Sequence, residues 1–496
     1  MNISIQDLMI QSGVAFGTSG ARGLASAMTD LLCYSYTKGF IQFLEQVEKL
    51  KKGEQIAIAG DLRESTPRIT QAVFRAITDS GYSPLDCGLI PTPALIYYGI
   101  TKKIPSIMIT GSHIPANRNG IKFNKKEGEV LKPDEALIRE QMISFNESLF
   151  SPTGAFTDNT AIHPLLEKKA EELYKKRYTD FFPANALTGL TVAVYEHSAV
   201  GRKILADVLN ALGAKTILLG KSSHFIPVDT EAITEELAIQ AKKWAKENSF
   251  NAIVSTDGDS DRPLLGDEKG NFFSGDLCDI LTAKYFNADS VTATVSTNTA
   301  LELSVYFKET HRSKIGSPYV IASMRDSTKK GAKRAVGYEG NGGFLINSDI
   351  TTDGKTLKAL PTRDALIVIL SILAQTNTSK LPVASLFEDL PQRFTSLDVI
   401  HEFPTEKSNT LLNNLFNTGD ETADRKNIKN IFGTVCGEPK EINRLDGTRI
   451  IFQNGEIIHI RPSGNAPELR VYTESNTEEQ ARLLNKKTVE ILRNMS

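Results

Sequence analysis

Cysteine is scarce in this chain: Cys33, Cys87, Cys278 and Cys436 are the four among 496 residues, far apart and with no paired spacing. That excludes a disulfide framework or a zinc-finger pattern and suits reduced core thiols. An excess of either charge is also missing, with 57 basic against 59 acidic residues and a net charge of -2. No basic run or basic–aromatic interleaving is present, so no nucleic-acid partner is expected. The longest apolar run, Ala365 to Ala374, is too short to cross a bilayer. Met1 to Ile10 lacks the basic and apolar regions of a secretory leader. These absences predict a cytoplasmic globular protein without a membrane partner. Its length exceeds what one core accommodates and predicts three or four domains.

What is present is a repeated rhythm. A helix over Asp30 to Lys49 leads to a strand Gln55 to Ala59, a helix near Pro67 to Ser80 and a strand Ser83 to Cys87. A helix from Thr92 and a strand ending at Thr110 follow. The same β-α-β-α-β order returns as a strand Leu190 to Tyr195, a helix Ala199 to Leu212, a strand Ala214 to Leu219, a helix Thr230 to Asn248 and a strand Asn251 to Ser255. A third, blurrier copy has strands at Val291 to Val295 and Ala335 to Tyr338, with a helix from Thr299. Ser151 to Thr160 reads as a hinge, and Gln375 to Lys380 as a polar linker. The expected fold is α/β: three similar mixed-sheet domains and a smaller α+β C-terminal domain around a central cleft. The boundaries are 1–152, 153–265, 266–378 and 379–496.

Each repeat sends out a loop after its last strand, where open α/β sheets place their ligands. In the first, the apolar run Ile107 to Ile109 stops at Thr110, Gly111 lets the chain turn, and Pro115 keeps it from entering a helix. Ser112, with His113 beside it, is left as a candidate nucleophile or phosphate carrier, although an ordinary polar loop fits a lone Ser-His pair as well. In the second, Asp257, Asp259 and Asp261 alternate, so three carboxylates can converge on a hard cation. Magnesium is the expected ion. A calcium loop of the EF-hand kind would use Glu268 as its twelfth residue, but Arg262 stands where that loop needs glycine. In the third, Glu339 and Asn341 sit on a glycine-rich turn suited to sugar hydroxyls and equally to a plain strand-to-strand turn. Two further loops suit phosphate. Gly17 to Gly23 offers backbone N–H groups with Arg22 as a clamp, and Arg461, Ser463, Gly464 and Asn465 offer a guanidinium fork and further donors.

Taken together and in this order, these motifs resemble the α-D-phosphohexomutases, a family that includes phosphomannomutase, phosphoglucomutase and phosphoglucosamine mutase. The resemblance covers almost the whole chain and extends to Asn119-Gly120-Ile121-Lys122-Phe123. It implies interconversion of hexose 1-phosphate and hexose 6-phosphate, mannose phosphate being favoured, through phosphoserine and a hexose 1,6-bisphosphate that is both intermediate and activator. Ser112 would be the phosphoserine, and Asp257, Asp259 and Asp261 would hold Mg²⁺ together with its phosphate. Lys122 and His113 would do acid–base or charge-stabilising work, and Arg22 and Arg262 would steady the transferring group. Glu339, Asn341 and Gly343 would form the sugar loop, and Arg461, Ser463, Gly464 and Asn465 would grip the other phosphate. The family's sugar loop commonly reads Gly-Glu-x-Ser-Gly-His, whereas Tyr338, Asn341 and Gly343 stand here at its first, fourth and sixth places. Hexose phosphates are the implied partners, in a monomer or homodimer.

Overall fold

In the computed structural model, which describes residues 2–17, 19–158, 160–463 and 468–495, three sheets repeat one plan. Short apolar strands, buried on both faces, make each central ladder, as parallel strands covered by helices require. In the first sheet Gln55–Gly60 lies between Ser83–Leu89 and Ser106–Ile109, both parallel to it, and Arg118–Lys125 returns antiparallel beside Ser106–Ile109. In the second, Thr191–His197 lies between Lys215–Lys221 and Ala252–Thr256, and Pro263–Gly266 returns. In the third, Ser290–Thr294 lies between Glu309–Ser313 and Ala335–Tyr338, and Phe344–Ile346 returns. The three functional loops are therefore the same element three times: the reversal into the antiparallel return strand. The first sheet is widened by Ala21–Leu24 and Ala15–Phe16, which carries Arg22 up to Gly120. The fourth unit is a five-stranded antiparallel sheet in the order Phe394–Ile400, Leu469–Ser475, Ile457–Pro462, Thr448–Phe452, Pro439–Asn443, with three long helices. Three mixed α/β sheets and one α+β unit are the fold class expected.

The apolar run from Ala365 is the start of helix Ala365–Ser379, buried through Ala374. A helix apolar all round belongs inside a core. This one joins a single apolar cluster that takes in Leu95 of the first unit, Val192 of the second and Val291 of the third. The fourth unit has its own cluster, around Phe416, Phe432 and Ile460. All four cysteines are buried and unpaired, and no helix among the described residues is long and apolar enough to cross a membrane.

Four expectations need correction. Gln375 to Lys380 is not a linker but the last turn of helix Ala365–Ser379 and its left-handed cap, Lys380 at φ 58°. Its polar side chains bond to carbonyls, Thr378 to Ala374 at 2.9 Å and Asn377 to Ala186 at 2.9 Å, so polarity there does not break the helix. The segment after Ser151 is pinned to the first unit: Gly154 O accepts the Leu31 N–H at 2.9 Å, and the Phe156 N–H donates to Asp30. The helix expected from Thr230 starts at Glu235, where Thr234 caps it by accepting from Leu237 N–H. The third repeat looked blurred because its edge strand Glu309–Ser313 is polar and half-exposed, which hides a strand and a following helix Ser317–Lys329.

Candidate functional site

Thr110, at the end of strand Ser106–Ile109, sets the geometry of the first loop. Its hydroxyl accepts the Ser112 N–H at 2.8 Å and donates to Asp61 at 2.7 Å. Ser112 is held at φ 57°, in the left-handed region that costs a non-glycine residue roughly 1–2 kcal/mol. From there its Oγ donates to Asp257 Oδ2 at 2.5 Å and lies 3.4 Å from His113 Nδ1.

The second loop curls around Asp257, whose Oδ1 accepts the N–H groups of Asp261 and Arg262 at 3.2 Å each. Alternate spacing then brings Asp259 and Asp261 alongside: one oxygen from each of the three carboxylates lies within 4.8 Å of the others, all buried. Asp259 Oδ1 and Asp261 Oδ1 have no hydrogen-bond partner among the described residues. Converging hard oxygens, two of them unsatisfied, fit a small dication such as Mg²⁺. The calcium-loop alternative fails because strand Ala252–Thr256, and not a helix, leads into the loop.

Cations ring these acids. Lys122, on the return strand Arg118–Lys125, donates to Asp259 at 2.6 Å and to Asp261 at 2.9 Å. Arg262 Nε stands 3.9 Å from Asp257 and 3.7 Å from Asp261. Thr92, at the start of a first-unit helix, donates its hydroxyl to Asp259 at 2.5 Å and its N–H to Asp259 O at 3.0 Å. Burial, and then the two neighbouring carboxylates, push Asp257 well above the usual carboxylate range. Burial alone would raise the other two as well, but Lys122 holds Asp259 down, and Arg363, Lys122 and Arg262 hold Asp261 down. His113 is pushed well below its ordinary value by burial, then by Arg262 and Arg22, and is neutral. Arg22 is lowered to about 10 by burial and by Arg262 and Arg363.

The third loop reaches this cluster through a residue that sequence reasoning missed. Arg363, buried just before the long apolar helix, donates Nε and Nη2 to Asp261 at 3.1 and 2.9 Å, and Nη1 to Glu339 at 2.6 Å. Asn341 Oδ1 accepts the Gly343 N–H at 3.0 Å and its carbonyl accepts from Thr230, which leaves the amide NH₂ for a ligand. Gly343 shapes the loop by lacking a side chain: a Cβ there would stand 2.3 Å from Arg363 Cδ. The room that a histidine would need at this place is filled by the arginine stem.

Arg461 lies on strand Ile457–Pro462 of the fourth unit, its Nε held by Asp446 at 2.9 Å. Among the described residues no hydrogen bond or ion pair joins it to the Ser112 cluster. Directly opposite it on the neighbouring strand is Arg470, also missed. Like charges in register repel, and an anion between them relieves the repulsion. Ser463 is buried beside Arg461, and Gly464 and Asn465 fall outside the described residues. Ser112, His113, Lys122, Asp257, Asp259, Asp261 and Arg262 thus converge, with Arg22 near enough to feel Arg262 and Arg363. Glu339 is tied in by Arg363. The only sequence signal for Arg363 was an arginine–aspartate pair opening an apolar run.

Four family models match along the chain, all described as phosphoglucomutase/phosphomannomutase: domain I over residues 13–147, domain II over 172–270, domain III over 274–394 and the C-terminal domain over 416–491. A phosphomannomutase of Sinorhizobium fredii (strain NBRC 101917 / NGR234) is 36% identical over 477 residues, covering 95% of this chain and 96% of its own length. One of Salmonella muenchen is 38% identical over 475 residues, covering 96% and 95%. Among solved structures, a phosphoglucomutase/phosphomannomutase family protein from Burkholderia thailandensis superposes with a TM-score of 0.71 at 17% identity, covering 98% of this chain and 97% of that one. An Aspergillus fumigatus N-acetylphosphoglucosamine mutase, solved with GlcNAc-6P and magnesium, gives 0.58 at 11%, covering 99% of both.

Proposed function

This chain belongs to the phosphoglucomutase/phosphomannomutase family, and on that premise we propose that it interconverts mannose 1-phosphate and mannose 6-phosphate through a phosphorylated Ser112. The relatives at 36% and 38% identity, both named phosphomannomutase, support the choice of sugar. The observation that carries the chemistry is the 2.5 Å bond from Ser112 Oγ to Asp257, within three carboxylates that converge on one point.

Asp257, Asp259 and Asp261 would hold Mg²⁺, which supplies positive charge against the phosphoryl oxygens. Lys122, Arg262 and Arg22 surround the same oxygens and offset the charge that spreads over them during transfer. In the first step the P–O bond to Ser112 Oγ breaks as the free hydroxyl of a hexose 1-phosphate takes the phosphoryl group. The hydroxyl's proton passes by way of neutral His113, whose Nδ1 lies 3.4 Å from Ser112 Oγ, to that oxygen as it leaves, so that Ser112 ends as the free alcohol beside a hexose 1,6-bisphosphate. After the bisphosphate turns end for end, Ser112 Oγ attacks the other phosphate, the protons run in reverse, and hexose 6-phosphate departs. Glu339 and Asn341 read sugar hydroxyls in both orientations, while Arg461, with Ser463, Gly464 and Asn465, grips the phosphate that is not reacting. Hexose 1,6-bisphosphate added from outside would prime unphosphorylated enzyme. The reaction belongs in the cytoplasm, in a monomer or homodimer.

Purified protein assayed with mannose, glucose and glucosamine 1-phosphates should prefer the mannose compound, and peptide mapping should find phosphate on Ser112. Full activity in Ser112→Ala, or no turnover of any of the three, would refute the proposal.

A further inference from the structure

The loop that carries Ser112 is held by a side chain outside every motif singled out in the sequence. Arg63 follows the end of strand Gln55–Gly60, and its side chain is fully buried. A guanidinium has five N–H donors, and all five are used here. Nε donates to Asp61 at 3.2 Å. Nη1 donates to Pro115 O at 2.7 Å and Arg118 O at 2.8 Å, and Nη2 to Ser112 O at 2.8 Å and Ile114 O at 2.7 Å. Four carbonyls of one loop are gathered by one planar fork, and the first belongs to Ser112 itself. The same Asp61 accepts from Thr110, the residue whose hydroxyl takes the Ser112 N–H. Both ends of the Ser112 backbone thus lead back to the Asp61–Arg63 pair.

The second unit closes this assembly. The Arg63 guanidinium lies 4.0 Å from the ring centroid of Phe225, on the chain between strand Lys215–Lys221 and helix Glu235–Glu247. Gly258, next to Asp257, lies against the same ring: a Cβ there would meet Phe225 at 2.9 Å and Ser112 O at 2.7 Å. One ring is therefore packed between the arginine that shapes the serine loop and the loop that bears the three aspartates.

We propose that Arg63, covered by Phe225, is a positioning residue for the transfer step: it fixes the left-handed backbone of Ser112 that aims Oγ at Asp257, and it ties that aim to the docking of the second unit. This rests on the mutase reading. A loop that only needed to be folded would not need every donor of a buried arginine spent on its carbonyls, nor a ring from the unit that bears the acids.

The test separates kcat from KM. Arg63→Lys keeps the charge but cannot place five donors in one plane. It should lower kcat, and the rate at which added glucose 1,6-bisphosphate phosphorylates Ser112, by about a hundredfold, as a misplacement near 1 Å does. KM for mannose 1-phosphate should stay within about twofold, because the sugar is read elsewhere. Phe225→Leu, which keeps apolar bulk but removes the π face, should lower kcat by about two- to thirtyfold with KM again unchanged. A kcat within twofold of wild type in folded Arg63→Lys, or a loss confined to KM, overturns the proposal. Should Arg63→Lys not fold, a normal kcat in Phe225→Leu overturns it. Wild-type enzyme that carries no phosphate on Ser112 and turns over no hexose phosphate would sink the mutase reading instead.

Discussion

Gly343→Ala exchanges one hydrogen for a methyl group, yet it should cost this enzyme about a hundredfold in kcat/KM. Gly343 does not have a positive φ, so its backbone accepts alanine without strain, and the effect falls on the neighbour. The new Cβ would stand 2.3 Å from Arg363 Cδ and 2.4 Å from Arg363 Cγ. Carbon atoms pack at about 3.5 Å or more, so the arginine stem must retreat by about 1 Å. Arg363 has three bonds to lose, two to Asp261 and one to Glu339, all buried. Breaking a buried charge pair costs about 3–5 kcal/mol. A shifted arginine keeps part of that, and about 3 kcal/mol remains, which is a little over two powers of ten in rate. Steady-state kinetics of the wild type and the variant would test this. Activity within threefold of wild type would refute the claim that Arg363 couples the sugar loop to the aspartates.

Stripping divalent ions with EDTA should abolish turnover and Mg²⁺ should restore it, while Asp259→Asn should weaken Mg²⁺ binding measured by calorimetry and cut kcat by orders of magnitude; activity that survives EDTA would remove the metal assignment. Arg461→Ala should raise KM by about ten- to a hundredfold and release bisphosphate during turnover, with Arg461→Lys recovering only part; an unchanged KM with no bisphosphate released would show that Arg461 is not the clamp. Buried His197 and His459 are each pushed down to about 4 from the ordinary 6.5. The unfolded chain therefore takes up their protons first, and stability falls as pH drops from 6.5 to 4, by up to roughly 3 kcal/mol per histidine. Urea titrations at pH 7 and pH 4.5 should show a smaller loss in His459→Gln, and equal losses in wild type and variant would contradict this.

Ser112 could be found in the sequence because its signals are local: a branched apolar run that stops at Thr110, a glycine that turns the chain and a proline that blocks a helix. The aspartates were legible for the same reason, since alternate spacing on a strand end is a property of seven consecutive residues. Arg63 and Arg363 were not, because each acts on partners brought near only by the fold: Arg63 on carbonyls some fifty residues away and Arg363 on Asp261, 102 residues earlier. Thr230 was placed in a helix because the apolar spacing that follows runs back through it. A threonine cap at Thr234 overrules that spacing, and Thr230 serves the Asn341 carbonyl instead. At Gln375 to Lys380 composition misled in the opposite sense, since polar side chains that bond to carbonyls let a helix continue to its cap.

The distribution of apolar clusters divides the labour between holding still and letting go. Ser112, the aspartates and Glu339 stand on three units welded by a single interior, so their mutual distances survive any motion that leaves that interior dry. Arg461 stands on a unit with an interior of its own, joined to the third by polar bonds such as the Ile315 N–H to Asp446 at 3.0 Å and Asn298 to Arg393 O at 2.6 Å. Hydration can replace such bonds one at a time, whereas parting a shared interior exposes it all at once. On the mechanism proposed above, the grip of Arg461 on the far phosphate can therefore loosen and renew itself within every cycle while the aim of Ser112 is kept.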